Sequence, residues 1–214
     1  MGYRWEIAGR IAQERVLAVI RSASPAEAVA VGRALLAAGI RVLEVALTTP
    51  QGVDAIRALA AEVTGDQVLG AGTVLDSGMA SAAIGAGARF LVSPGLSPEV
   101  VRTGNRYGLP VLPGAATPTE VVAALEAGAD MVKLFPAGSL GVEYLRALRP
   151  VVPQAALVPT GGISASNARD WLEAGAVAIG VGGSLTRGEG AAIGARAREL
   201  LDAVGTTPIP STAR

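Results

Sequence analysis

Two charged side chains sit among apolar neighbours: Lys133 inside MVKLF and Glu44 inside VLEVAL. Side chains alternate along an extended strand, so Met131, Lys133 and Phe135 share one face, as do Val42, Glu44 and Ala46. Whether that face looks into a barrel or toward covering helices, it is dry, and burial disfavours the charged form of an amine. A lysine that gives up its proton is a nucleophile, and lysine is seldom fully buried without a partner or a task. A carboxylate beside it completes the simplest set for imine chemistry, in which the amine attacks a ketone and the carboxylate moves protons. The competing reading is a structural ion pair, yet taking two charges out of water is often no better than apolar packing. Cys and His are both absent, which excludes thiol nucleophiles, histidine bases and disulfides, along with the usual nitrogen and sulfur ligands of zinc. Any metal site would need oxygen ligands alone.

A second group of residues suits an anion. PTGGIS at 159–164 and GVGGSL at 180–185 each carry a Gly pair before a possible helix start. Glycine lets backbone N–H groups approach a phosphate, and a helix N-terminus adds a favourable dipole. With 28 glycines in the chain, either pair alone means little. Together they make Gly161, Gly162, Gly183 and Ser184 candidates for a phosphate cradle. Arg21, Thr73 and the Ser93-Pro94 corner each follow an apolar run. Arg21 could hold a substrate carboxylate through its planar guanidinium, or be a solvated surface group.

Eight apolar runs carry these residues, at 16–20, 42–47, 67–73, 89–95, 110–114, 131–136, 156–162 and 177–184. Near-continuous apolar strands point to burial on both faces, as in a parallel sheet covered by helices. Between them lie segments with helical punctuation. Ser24-Pro25 opens one that stops at Gly39, Ser97-Pro98 and Thr117-Pro118 open two more, and Ser164 opens a fourth. Eight strand–helix alternations predict a (β/α)8 TIM barrel, in which the site lies where the strands end and the last two loops commonly bind phosphate. Residues 1–15 are expected to form an extra N-terminal helix, 16–204 the barrel, and 205–214 a flexible tail.

Composition bounds the rest. A chain of 214 residues, half of them apolar, suits one domain with a substantial core. Eighteen basic and eighteen acidic side chains leave no net charge, so nucleic acid and membrane surfaces are not expected partners. The first fifteen residues carry five charges, unlike a secretory leader, and a cytoplasmic location is expected.

Read in order, LEVALTTP, GAGTVL, LVSPGL, VLPGAATPTE, VKLFPA and PTGGIS…GGS resemble the 2-keto-3-deoxy-6-phosphogluconate (KDPG) and 4-hydroxy-2-oxoglutarate (KHG) aldolase family over residues 16–185. The resemblance implies a pyruvate-dependent class I aldolase: a (β/α)8 barrel, assembled as a homotrimer, acting on a small keto acid without cofactor or metal. It matches Lys133 to the Schiff-base lysine and Glu44 to the acid/base carboxylate. Thr73, Pro94 and Phe135 match residues around the keto acid, and Gly161, Gly162, Gly183 and Ser184 match the phosphate loops. One departure stands out: many members carry an arginine in a TLRT-like segment after the glutamate, where this chain has Thr48 in ALTT. Arg21 at the end of the first run is the expected replacement. The implied substrate is KDPG, with KHG as a second. Alternatives are the galactonate-derived epimer, a phosphosugar isomerase or synthase without imine chemistry, and a noncatalytic trimeric scaffold.

Overall fold

The computed structural model of the protein describes residues 3–205. Its strands are β1 (Val16–Ile20), β2 (Val42–Ala46), β3 (Val68–Gly72), β4 (Leu91–Val92), β5 (Val111–Leu112), β6 (Gly114–Ala115), β7 (Val132–Leu134), β8 (Leu157–Pro159) and β9 (Ile179–Val181). Its helices are α1 (Arg4–Glu14), α2 (Pro25–Ala37), α3 (Gly52–Ala60), α4 (Ser77–Gly85), α5 (Pro98–Tyr107), α6 (Pro118–Glu126), α7 (Ala137–Leu140), α8 (Val142–Leu148), α9 (Ala168–Glu173), α10 (Gly183–Thr186) and α11 (Gly190–Gly205). The N-terminal helix expected over 1–15 is α1. Beyond Gly205, the tail expected at 205–214 lies outside the described residues.

All the strand pairs are parallel, in one sheet ordered β5-β4-β3-β2-β1-β9 and a second ordered β6-β7-β8. An isolated bridge from Thr160 to Gly180 links the end of β8 to β9. The run expected at 110–114 appears as two short strands, β5 and β6, divided at Pro113. Proline has no N–H to donate, so the ladder breaks there. Its carbonyl instead accepts from the Lys133 N–H at 2.9 Å, on the side of the second sheet. The result is an α/β fold with a curled parallel sheet.

Helix starts follow the sequence signals in three of four cases, at Pro25, Pro98 and Pro118. The Ser24 side chain accepts from the Glu27 N–H, and Thr117 with Glu120 forms a reciprocal capping box. Ser97 makes no side-chain cap. The helix expected from Ser164 begins only at Ala168, after a turn over 164–167 in which the Ser164 N–H donates to Asn167 Oδ1 at 2.9 Å and the Ser164 carbonyl accepts from the Asn167 and Ala168 N–H groups.

Two apolar clusters form the interior. The larger lies between strands and helices. The smaller collects the other strand face: Leu17 and Val19, Val42, Val68, Phe90, Leu112, Met131 and Val158, with Ile7 and Ile11 of α1. Helix α1 therefore covers one end of the concave inner face. Met131 and Val42 belong to this inner cluster, so alternation puts Lys133 and Glu44 on the same inner face, away from the covering helices. Register agrees, with Glu44 opposite Val19 and Gly70, and Lys133 opposite Gly114 and Val158.

Phe90 fills the inner cluster where Gly70 leaves room, since a Cβ at 70 would stand 2.5 Å from its ring. The ring is fully buried. Phe90→Ala is expected to cost about 3–5 kcal/mol of unfolding free energy, measured by urea denaturation. A loss below about 1 kcal/mol would contradict this packing.

Candidate active site

The inner face opens into a cavity of about 490 Å³ at the strand ends. Its lining includes Arg21, Thr73, Pro94, Lys133, Phe135, Gly161, Gly162, Gly183 and Ser184. Of the residues singled out in the sequence, Ser93, Thr48 and Glu44 stand outside this lining, and Glu44 sits on β2 with only 2% of its surface exposed.

Lys133 projects from the middle of β7, 7% exposed, with Nζ 4.8 Å from the centre of the Phe135 ring. Two residues along the strand, Phe135 shares that face and offers its π face to the amine. Lys133 is also the chain's only lysine; every other cationic side chain is arginine. That count was open to inspection in the sequence and is the signal the pattern reading passed over.

Glu44 and Lys133 form no direct ion pair among the described residues, which sets aside the structural-pair reading. Burial pushes the Glu44 carboxyl above the usual carboxylate range, while the positive charges of Lys133 and then Arg21 oppose that rise. Room for the carboxylate is made on the neighbouring strand. A Cβ at Gly72 would overlap Glu44 Oε1, so only glycine fits there without moving the acid. A similar close approach occurs at Gly114, where a Cβ would collide with the Pro94 carbonyl. Glycine at 114 thus lets the Ser93-Pro94 corner lean against β6. The buried Ser93 hydroxyl fixes that corner by donating to the Gly95 carbonyl at 2.7 Å.

Thr73, just past β3, has φ +57°, a left-handed backbone that costs a β-branched residue about 1–3 kcal/mol. Past the end of β1, on the far side of β2 from Thr73, Arg21 Nε donates to Thr48 Oγ1 at 3.0 Å. The Thr48 hydroxyl therefore orients an arginine from the end of the adjacent strand. Thr49, next to it, accepts the Ser22 N–H at 3.2 Å and ties the two strand ends together.

The glycine loops differ from expectation in two details. Helix α10 is only four residues long, so little dipole is available. The Ser184 hydroxyl donates to the Ile163 carbonyl at 2.6 Å and is committed to joining the loops. What the loops offer an anion is backbone: Gly161 and Gly162 turn at φ +92° and +77°, and Asn167 Nδ2 steadies the Gly162 carbonyl at 3.0 Å. Arg187, which the sequence reading did not single out, completes the lining beside Gly183.

The KDPG and KHG aldolase family model matches residues 7–194. The Escherichia coli K12 protein named 2-dehydro-3-deoxy-6-phosphogalactonate aldolase is 38% identical over 174 residues, 80% of this chain and 84% of that protein. The Escherichia coli K12 KHG/KDPG aldolase is 41% identical over 158 residues, 73% of each chain. Among solved structures, a KDPG aldolase of Legionella pneumophila holding pyruvate captured at low pH as a covalent carbinolamine aligns with TM-score 0.79. It is 31% identical and covers 94% of this chain and 98% of that one.

Two outcomes follow from the buried acid. Gly72→Ala pushes on a flexible carboxylate and not on backbone, so the fold should persist while aldol cleavage falls about 100-fold, as a misplacement near 1 Å does. Cleavage at the wild-type rate by a Gly72→Ala protein would show that Glu44 has no required position. The native state also holds the Glu44 proton more tightly than the unfolded chain does. That contribution weakens folding as pH rises from the ordinary carboxylate value through the raised one. Glu44→Gln should then be more stable than wild type near pH 7, with the gap closing toward about pH 4 in urea titrations.

Proposed function

Because the chain belongs to the KDPG and KHG aldolase family, we propose that this carbon–carbon lyase cleaves KDPG to pyruvate and glyceraldehyde 3-phosphate through an imine on Lys133. KHG, giving pyruvate and glyoxylate, is its second substrate. The observation that carries the reading is the chain's only lysine on the dry inner face at the cavity, with an unpaired buried carboxylate on the same face.

In the proposed mechanism the neutral Lys133 amine attacks the C2 ketone, and the carbinolamine loses water to a protonated imine, an electron sink. Glu44 takes the proton of the C4 hydroxyl, directly or through water. The C3–C4 bond breaks, its electron pair passes into the enamine, and an aldehyde departs. Glu44 returns the proton to C3, and water releases pyruvate and regenerates the amine. Its raised proton affinity suits a group that must both accept and give back a proton near neutral pH. Arg21, held by Thr48, and Thr73 bind the substrate carboxylate, with Pro94 and Phe135 walling the keto acid. Gly161, Gly162, Gly183 and Ser184 hold the phosphate by backbone N–H groups. Binding that remote group orients the substrate without touching the breaking bond. The 2-dehydro-3-deoxy-6-phosphogalactonate aldolase relative favours a second reading, cleavage of the galactonate-derived epimer. Turnover of the two epimers side by side decides between them.

Three further parts belong to this proposal. The strands close as a (β/α)8 barrel, supported by the Thr160–Gly180 bridge and by the Pro113 carbonyl that joins the two sheets. The chains assemble as a homotrimer. Exposed Val122 and Val151, beside Pro118 on a shallow apolar groove, supply surface for that contact. The enzyme works in the cytoplasm, where a phosphorylated acid stays, because such an anion does not cross a bilayer unaided.

Reduction with borohydride in the presence of pyruvate tests the chemistry. Intact mass should rise by one adduct that maps to Lys133, and Lys133→Arg should abolish both label and cleavage. Absence of label, or cleavage by Lys133→Arg at the parental rate, would end the proposal and leave an isomerase or synthase without imine chemistry. Light scattering should give three times the 21.3 kDa chain mass.

A further inference from the structure

Three cationic side chains line the cavity: Lys133, Arg21 on the wall with Thr48, and Arg187 on the side of the glycine loops. No Asp or Glu is among the lining residues, and no carboxylate forms an ion pair with Arg187 among the described residues. Its guanidinium lies over Gly183: a Cβ there would stand 3.7 Å from Nε and 3.9 Å from Nη2. The backbone beneath it is gripped from α11. Arg196 donates through Nε to the Leu185 carbonyl at 3.1 Å and through Nη2 to the Arg187 carbonyl. The other candidate donor on this rim is spent, since the Ser184 hydroxyl points its proton at Ile163.

We infer that Arg187 is the residue that sets preference for a phosphorylated keto acid, an inference that rests on the aldolase reading above. The glycine loops alone present N–H groups that favour an anion but carry no net charge to offset a dianion, and they also suit a carbonyl or water oxygen. A planar guanidinium discriminates more sharply, because it adds a full positive charge and can donate charge-assisted bonds in pairs. Arg196 acts as a positioning residue by holding the Arg187 carbonyl, so the side chain leaves from a fixed point on the rim.

The test compares kcat/KM for KDPG and for KHG in wild type, Arg187→Ala and Arg187→Glu. The phosphorylated-to-unphosphorylated ratio is expected to fall about tenfold or more in Arg187→Ala, mainly through KM, and further in Arg187→Glu. Equal losses on both substrates, or an unchanged ratio, would overturn the inference. Pyruvate and borohydride labelling of the same three proteins separates the two levels. An unlabelled wild type would sink the aldolase reading itself, whereas full labelling with an unchanged ratio would sink only the role of Arg187.

Discussion

An ammonium and a carboxylate face the same water-poor interior from different strands, close enough to feel each other's charge and too far apart to neutralise it. A direct pair would be quiet: each group would satisfy the other, and neither would have reason to exchange a proton with a substrate. Held apart, the carboxylate keeps an unusually high affinity for its proton and the amine lies over an aromatic face. Much of the surrounding structure serves this separation. Helix α1 covers one end of the inner face, Phe90 fills the inner cluster, and Gly72 clears the one spot where the acid can lie.

Close approach is arranged in the same way elsewhere on the inner face. Besides the Gly72 and Gly114 contacts, a Cβ at Gly180 would overlap the Thr160 hydroxyl on the neighbouring strand. At Gly72 and Gly180 a polar side chain projects from the neighbouring strand where the glycine has given up its own, and at Gly114 it is backbone that comes close. The arrangement depends on register, so a strand slipped by one residue would turn the polar groups toward the helices. Fold and site are specified by the same pairings.

The sequence carried the site unevenly, for physical reasons. Lys133 and Glu44 were visible because a charge inside an apolar run contradicts its neighbours. Which face they used was not, since alternation gives parity without direction, and only the packing of Met131 and Val42 resolves it. The divided strand at Pro113 was legible in principle from the missing donor. Helix starts at Ser24, Ser97 and Thr117 followed local chemistry, whereas Ser164 opens a turn and the regular helix follows only from Ala168. Gly72 was one glycine among 28 until a neighbour was known. Arg187 left no trace in the pattern, because an exposed loop arginine looks like any solvated charge until a cavity is found beneath it. The contact between Arg21 and the Thr48 hydroxyl was invisible for another reason: it joins the ends of two strands whose pairing the linear sequence does not display.

An aldolase releases a carbonyl compound beside its own polypeptide, and free aldehydes condense with unprotonated amines wherever they meet them. Here every cationic side chain but Lys133 is a guanidinium, whose proton is not lost in proteins. Restricting the ε-amine to a single copy, sunk at the floor of the cavity, therefore leaves no lysine outside for a diffusing product to scavenge. A surface built this way offers fewer handles for slow self-inflicted glycation.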